Sequence, residues 1–119
     1  MLRIIAGKYR HLIIEAPNTN STRPTTDKVR EALMSALGTS LYDATVLDLF
    51  AGSGALGLES LSRGASKAIF CDNNFLAIKC IKNNIAKFTK DYYNDIFCNS
   101  NFRFLCIYWF VYNFYWGNK

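Results

Sequence analysis

Three glycines and two carboxylates near the middle of the chain have the residue types and spacing of a nucleotide-binding site. Gly52, Gly54 and Gly57 fit the pattern G-x-G-x-x-G, with Asp48 before them and Asp72 after them. The first two glycines would let the backbone turn tightly and approach a ligand, and the third would let a helix lie close to a strand. Asp72 follows Gly52 by 20 residues, a spacing at which a carboxylate can accept two hydrogen bonds from a ribose diol.

The charge of Asp48 indicates which nucleotide such a site would take. A dinucleotide brings a pyrophosphate to the glycine loop, where a carboxylate would repel it. S-adenosylmethionine carries no phosphate, and its ammonium and sulfonium groups are both positive, so a carboxylate suits it by charge complementarity. Asp48 therefore favours S-adenosylmethionine over NAD as the ligand. A structural role, in which the carboxylate caps amides of the loop, is compatible with this interpretation.

The segments around these residues predict the elements that position them. A β-branched and apolar segment runs into the glycine loop, a helix follows and ends at Gly64, and a second strand ends at Asp72. We place the strands at 45–50 and 67–71 and the helices at about 55–63 and 74–87. The second helix should bury one apolar face, made of Phe75, Ile78, Ile81, Ile85 and Phe88.

The first 14 residues predict a basic β-hairpin. Two apolar runs, around Ile4 and Ile5 and over 12–14, flank a polar stretch in which Gly7 lies near a bend. The polar positions of this hairpin are cationic, namely Arg3, Lys8 and Arg10.

A capped helix is predicted after the hairpin. Pro24 disfavours helix at Arg23, Thr25 or Thr26 can cap, and Gly38 is a natural end. Apolar residues recur at helical spacing, at Val29, Leu33, Ala36 and Leu37. Arg23, Lys28 and Arg30 beside the Thr-rich loop could grip phosphate. An ordinary amphipathic helix with a solvated basic face accounts for the same residues.

Length, composition and charge restrict the class of protein. The chain has 119 residues, 50% of them apolar and 19% charged, which is the balance of one small globular domain. The net charge of +5 suits a polyanionic partner such as nucleic acid, although simple solubility explains it equally well. One histidine and four cysteines without a C-x-x-C spacing do not predict a metal site. The N-terminus does not resemble a signal peptide, so we expect a cytoplasmic protein with buried free thiols.

The last residues differ in composition from the rest. Seven of the chain's 18 aromatic residues lie in its last 14 positions, beside the single charge of Lys119. The apolar stretch over 104–116 is too short for a membrane span, which needs roughly 20 residues.

Three stretches together closely resemble the bacterial ribosomal RNA guanine-N2 methyltransferases of the RsmD type. They are RIIAGKYR (3–10), TRPTTDKVREAL (22–33) and VLDLFAGSGALGLESLSRGA (46–65), and the resemblance extends to about Leu105. It implies an α/β, partial Rossmann-like fold with an N-terminal hairpin and helix. It also implies methyl transfer from S-adenosylmethionine to a guanine amine of small-subunit (16S) ribosomal RNA, with the RNA or the assembling 30S subunit as partner and without a metal.

The resemblance also implies which residues form the sites. Asp48 and the loop match the cofactor motif, Asp72 and Asn73 match the segment at the ribose, and Asn101, with Ser100 as the alternative register, matches the position facing adenine. The cofactor set is therefore Asp48, Phe50, Ala51, Gly52, Ser53, Gly54, Asp72, Asn73 and Asn101. The RNA-facing set is Arg3, Lys8, Arg10, Arg23, Thr25, Lys28 and Arg30.

The sequence departs from this family in its last part. These enzymes carry an [ND]-P-P-[YF] motif after the fourth strand, and this chain has no proline after Pro24. We therefore predict a basic RNA-facing segment (1–44), a partial cofactor-binding domain (45–105) and an aberrant aromatic tail (106–119). A truncated or frameshifted gene would produce this pattern. An RNA-binding remnant without catalysis and a fragment of an NAD-dependent oxidoreductase are the alternative functions.

Overall fold

The computed structural model of the chain has an α/β architecture that places a small parallel sheet beside an N-terminal hairpin. The structure describes residues 2–17, 26–49, 51–88 and 95–97. Its strands are β1 (Leu2–Arg3), β2 (Ile13–Ile14), β3 (Thr45–Asp48), β4 (Lys67–Cys71) and β5 (Asp95–Phe97). Its α-helices are α1 (Asp27–Leu37), α2 (Ala55–Ser62) and α3 (Phe75–Ile85), and a short 3-10 helix covers Gly38–Leu41.

The three strands β3, β4 and β5 form one sheet in that order, and neighbouring strands are parallel. Asp48 lies opposite Phe70, so the carboxyl ends of β3 and β4 meet at the same edge. Helix α2 connects β3 to β4 and α3 follows β4, which is the arrangement of a Rossmann-like half sheet. The predicted strand over 67–71 is confirmed, and the predicted strand over 45–50 is described as far as Asp48.

Helices α2 and α3 begin and end within two residues of the prediction. Gly57 of α2 lies so close to β4 that a β-carbon would be 2.3 Å from Cε1 of Phe70, so the predicted close approach of helix and strand is confirmed. On α3, Ile78 and Ile81 are buried, but Phe75 is 73% exposed. The prediction that Phe75 belongs to the buried face was wrong, because this first residue of the helix lies at the carboxyl edge of the sheet.

The hairpin is confirmed, although its paired strands are shorter than predicted and lie at its open end. Leu2 pairs with Ile14 and Arg3 with Ile13. The closed end packs against α2, where a β-carbon on Gly7 would be 2.0 Å from the Ser62 carbonyl oxygen. The hairpin contributes Leu2, Ile4 and Ile14 to the same core cluster as Leu58, Phe70 and Ile81 of the Rossmann-like part.

Helix α1 begins and ends as predicted but buries a different face. Thr26 caps it by accepting a hydrogen bond from the Val29 N–H, and Gly38 ends it with a φ of 52°. Val29, Leu33 and Leu37 of the predicted core face are 56%, 44% and 42% exposed, and Ala36 is exposed as well. The buried residues are Arg30 and Met34. This face turns inward because α2 offers the carboxylate of Glu59 to Arg30 and the hydroxyl of Ser60 to Met34.

Cys71 and Cys80 are buried, as predicted, and Cys80 is a free thiol, whereas Cys98 and Cys106 lie outside the described residues. Burial is also what raises the pKa of the Cys80 thiol. In the part of the chain that the structure describes, every helix is too short or too polar to cross a membrane. Strand β5 lies near the end of the predicted partial cofactor-binding domain (45–105), and residues 98–105 of that domain and the aromatic tail lie outside the described residues.

Candidate cofactor site and nucleic-acid interface

The glycine loop turns from β3 into α2 at the carboxyl edge of the sheet. Gly52 and Gly54 have φ values of 57° and 83°, which L-residues with side chains rarely adopt. The Gly54 N–H donates to the Ala51 carbonyl at 2.7 Å, and Gly54 is the N-cap residue of α2. The loop needs its two glycines for this turn, as the G-x-G spacing predicts.

Asp48 ends β3 and is buried below the loop, with 8% of its surface exposed. Its Oδ2 accepts a hydrogen bond from the Gly57 N–H at 3.2 Å, which is the structural capping role that the sequence left open. Burial raises the pKa of Asp48 from 3.8 to about 6, the Gly57 hydrogen bond opposes that rise, and repulsion from Asp72 adds to it. No lysine or arginine in the described ranges forms an ion pair with Asp48, so the site holds negative charge that a cationic ligand could compensate.

Asp72 follows β4 and joins the two halves of the candidate site. Its Oδ2 accepts from the Gly52 N–H at 3.0 Å and its Oδ1 accepts from the Asn74 N–H at 2.8 Å. The carboxylate is half-buried, and each of its oxygens keeps a second lone pair. The predicted pairing of the glycine loop with an acidic residue on the neighbouring strand is therefore present in the structure.

The remaining predicted cofactor residues are placed as follows. Ala51 and Ser53 are buried within the loop, and Asn73 is exposed next to Asp72. Phe50 and Asn101 lie outside the described residues. Phe75 is outside the predicted set, but it lies three positions after Asp72 with 73% of its surface exposed. Its place at the start of α3, directly after the capping Asn74, is the sequence signal that could have added it to the candidates.

The described arm presents separate cationic side chains on its outer surface. We define the arm as residues 2–15, which contain the hairpin and the exposed side chains of Arg3, Lys8 and Arg10. Lys28 of α1 is also exposed, whereas Arg23 and Thr25 lie outside the described residues. An open cavity of about 290 Å³ separates the hairpin from α1 and is lined by Arg3, Ile4, Ile5, Arg10, His11, Asp27 and Glu31.

Arg30 is the one predicted RNA-facing residue that the described structure turns away from the surface. Its side chain has no exposed area, its Nε lies 3.4 Å from Glu59 Oε1, and its Nη2 donates to the Arg3 carbonyl and to Asp27. The expectation that Arg30 contacts RNA is corrected, because a fully buried guanidinium paired with a buried carboxylate cannot reach a phosphate. Arg30 instead holds α1 against α2 and the arm.

Glu59 of α2 fastens the arm to the Rossmann-like part. Its buried carboxylate accepts from the Ile5 N–H at 2.9 Å and from the Ala6 N–H at 3.1 Å. Arg63 contacts the same carboxylate at 3.0 Å. The helix that starts at the glycine loop thus also fixes the position of the cationic arm.

Within the described ranges, no group of three or more His, Cys, Asp or Glu side chains is arranged to hold a metal ion. The donor set of the candidate site is instead two carboxylates, backbone N–H groups and an exposed aromatic ring. The side chains of this set are therefore negative or apolar rather than positive.

Comparison with known proteins places this geometry in a family. The sequence model described as conserved hypothetical protein 95 matches residues 2–105. The chain is 42% identical over 99 residues to Bacillus subtilis YlbH, whose name assigns it to the rRNA methyltransferases, with 79% of this chain and 54% of that protein covered. It is 52% identical over 67 residues to the ribosomal RNA small subunit methyltransferase D of Escherichia coli K12, with 56% and 34% covered.

A solved structure also resembles this chain. Escherichia coli YhhF, a protein named as a methyltransferase, superposes with a TM-score of 0.69 at 36% identity and covers 79% of this chain. The alignment covers 51% of the YhhF chain. This chain therefore spans about half the length, or less, of the relatives that it matches.

Proposed function

This chain belongs to the conserved hypothetical protein 95 family, and on that premise we propose that it is the cofactor-binding and RNA-facing half of an RsmD-type methyltransferase. The proposed reaction transfers a methyl group from S-adenosylmethionine to N2 of a guanine in small-subunit ribosomal RNA. One observation carries this proposal: Asp48, the last residue of β3, and Asp72, directly after the adjacent parallel strand β4, flank a glycine loop that caps a helix.

Different described residues would bind different parts of S-adenosylmethionine. The cofactor supplies an electrophilic methyl group on a positively charged sulfur. Asp48 and the loop Ala51–Gly54 would face its charged amino-acid portion, and Asp72 with Asn73 would accept hydrogen bonds from the ribose. The exposed ring of Phe75 offers an apolar face to the adenine. Phe50 and Asn101 belong to the same proposed set.

The raised pKa of Asp48 supports this assignment. A buried carboxylate that is costly to ionise gains the most from a bound cation, because the cation restores the electrostatic stabilisation lost on burial. A diphosphate would have the opposite effect on the ionised form of Asp48. The Asp48 environment therefore favours the sulfonium cofactor over NAD.

The arm would bind the ribosomal RNA. Arg3, Lys8, Arg10 and Lys28 are exposed cations on the hairpin and the adjoining helix, and the whole chain carries a net charge of +5. Contacts of this kind position a protein on phosphates without reading the sequence of bases. Arg23 and Thr25 stay in the proposed RNA-facing set, whereas buried Arg30 acts by positioning α1.

The chemical step would need groups outside these 119 residues. In RsmD-type enzymes an [ND]-P-P-[YF] motif accepts a hydrogen bond from the target amine and stacks on the extruded base. Both prolines of this chain, Pro17 and Pro24, precede the glycine loop. We therefore propose that this chain by itself binds cofactor and RNA without transferring the methyl group.

Two assays on the whole chain test this proposal. Unmodified small-subunit ribosomal RNA should bind with an affinity that falls steeply as salt concentration rises. Labelled S-adenosylmethionine should bind but leave the RNA unlabelled. Labelled RNA would contradict the requirement for the missing motif, and RNA binding without any cofactor binding would favour the alternative of a non-catalytic RNA-binding remnant.

A further inference from the structure

One buried side chain joins the glycine loop to the arm. Asn84 lies on α3, and none of its surface is exposed. Its Nδ2 donates to the Ser53 carbonyl in the glycine loop at 2.8 Å and to the Glu15 carbonyl at the end of the arm at 2.9 Å. Its Oδ1 accepts from the Glu15 N–H at 2.8 Å.

Packing alone does not explain an asparagine at this position. Asn84 continues the buried face of α3 that contains Ile78 and Ile81, where an apolar residue would fill space without desolvating an amide. Burying a carboxamide is unfavourable unless its hydrogen bonds are made. Asn84 makes three hydrogen bonds to backbone groups outside its own helix, and a longer one of 3.7 Å runs from Nδ2 to Cys80 Sγ on α3.

Two other side chains, Cys80 on α3 and Lys87 just after α3, also bind backbone groups near the end of the arm. Cys80 donates from Sγ to the Glu15 carbonyl at 3.1 Å, and Lys87 donates from Nζ to the Ile13 carbonyl at 3.1 Å. Among these three side chains, Asn84 is the one whose described hydrogen bonds also reach the glycine loop. It is therefore the direct polar connection between the two surfaces that the proposed function assigns to cofactor and RNA.

We propose that Asn84 is a positioning residue that couples occupancy of the glycine loop to the order of the arm. This inference rests on the proposed function, in which the loop binds S-adenosylmethionine and the arm binds RNA. A ligand that fixes the Ser53 peptide also fixes the Asn84 amide group, and that amide group holds both backbone groups of Glu15, the carbonyl through Nδ2 and the N–H through Oδ1. Binding of either ligand should strengthen binding of the other by the same factor, because linkage is reciprocal.

Hydrogen exchange on the unmodified chain tests the coupling without a mutation. Adding S-adenosylmethionine should slow exchange of the Glu15 amide, whose N–H is bonded to Asn84. Binding of the cofactor with no change at Glu15 would overturn the coupling and leave the proposed function standing. No binding of the cofactor at all would overturn the proposed function, and the coupling with it.

A substitution test uses Asn84→Leu, which removes every side-chain hydrogen bond of Asn84 at similar volume. Its matched control is Asn83→Leu, because Asn83 is the exposed neighbour on the same helix. The affinity for unmodified small-subunit ribosomal RNA is measured with and without saturating S-adenosylmethionine. In wild type and in Asn83→Leu we expect the cofactor to raise the affinity by roughly fivefold or more, and in Asn84→Leu we expect a ratio near one.

Asn84→Asp is a second variant that tests the coupling even where Asn84→Leu fails to fold. The aspartate keeps the acceptor for the Glu15 N–H but presents a second oxygen to the Ser53 and Glu15 carbonyls. At neutral pH the ratio of RNA affinities with and without cofactor should therefore also be near one. In acid, protonation restores one donor and should recover part of the ratio. A merely structural asparagine would lower both affinities equally and leave the ratio at its wild-type value, which would contradict the coupling.

Discussion

Asp48 has a structural role and also carries the charge on which the proposed choice of cofactor depends, and these two roles are compatible. It accepts the Gly57 N–H and so fixes the start of α2 beneath the glycine loop. It also places a buried charge with a raised pKa next to the loop and within electrostatic range of Asp72. A carboxylate whose ionised form is destabilised by burial, and which lies beside a glycine loop, is typical of a binding site. A bound cation would stabilise the ionised form of such a carboxylate.

The raised pKa of Asp48 predicts how stability depends on pH. The folded chain binds the proton more tightly than the unfolded chain between pH 3.8 and about 6, so this group lowers the free energy of unfolding as pH rises through that window. Asp48→Asn keeps an acceptor for Gly57 and removes the charge. The variant should gain stability relative to wild type as pH rises from about 4 to about 6, and the difference should level off above that window.

Urea unfolding at several pH values measures this difference. Asp43→Asn, which removes an exposed carboxylate, controls for the change in net charge. If the stability difference between Asp48→Asn and wild type were the same at each pH, the carboxylate would not be the costly buried group described here.

Helix α2 connects the glycine loop, α1 and the arm, because both its ends and its middle make specific contacts. Its start is the glycine loop, its middle presents Glu59 to Arg30 and the arm, and its C-terminal end receives the closed end of the hairpin at Ser62. Gly57 lets the same helix approach β4 closely. Changes on α2 should therefore affect the position of the arm as well as the stability of the core.

The contact between Gly57 and Phe70 predicts a penalty that depends on the aromatic ring. Gly57→Ala gains about 1 kcal/mol of helix propensity but forces a β-carbon to within 2.3 Å of the ring, and overpacking costs about 1–3 kcal/mol. We expect a net loss of about 1 kcal/mol in the free energy of unfolding. In the Phe70→Leu background that loss should shrink or become a gain, and a double-mutant cycle with no coupling energy would refute the contact.

The contact between Arg30 and Glu59 predicts that two neighbouring cations of α1 respond differently to substitution. Arg30→Met leaves the buried Glu59 carboxylate with one ion pair fewer, and we expect a loss of about 2 kcal/mol in the free energy of unfolding. Arg63 still contacts Glu59, which keeps the loss below the ~3–5 kcal/mol of an isolated buried pair. Exposed Lys28→Met should change stability by less than about 0.5 kcal/mol. Equal denaturation midpoints for both variants would contradict the buried role of Arg30.

The sequence predicted the elements that depend on residues close together in the chain. The glycine loop, the caps at Thr26 and Gly38 and the strand at 67–71 follow from backbone geometry and short-range spacing, and the structure has them. The buried face of α1 could not be predicted in this way. Helical spacing favoured Val29, Leu33 and Leu37, but the choice of face depends on Glu59, which is 29 residues after Arg30 in sequence. The coupling through Asn84 is equally non-local, because it joins segments from three parts of the chain.

At the scale of the whole molecule, the described part leaves apolar surface uncovered. Val29, Leu33 and Leu37 form an exposed stripe on α1, and Tyr42 is 78% exposed near its end. The chain aligns with 54% of the length of one relative and 34% of the length of another, so a longer protein of this family has further residues with which this stripe can pack. In this chain we expect marginal stability and a tendency to aggregate.

A lysine in this stripe tests that expectation. Leu33→Lys should reduce light scattering of the purified chain on heating while its free energy of unfolding changes by less than about 0.5 kcal/mol. Met34→Lys is the matched control, since Met34 is its buried neighbour with 3% of its surface exposed, and it should abolish cooperative unfolding. A wild-type chain that stays soluble throughout heating, or a Leu33→Lys chain that scatters as much light as wild type, would contradict the prediction.

The central claim is that the glycine loop with its two carboxylates binds a positively charged sulfur nucleoside. Isothermal titration of the whole chain with S-adenosylmethionine, S-adenosylhomocysteine and NAD measures this most directly. We expect S-adenosylmethionine to bind most tightly, the uncharged thioether more weakly and NAD not measurably. Asp48→Asn should narrow the gap between the first two, because it removes the charge that distinguishes them. Tighter binding of NAD than of S-adenosylmethionine would contradict the account.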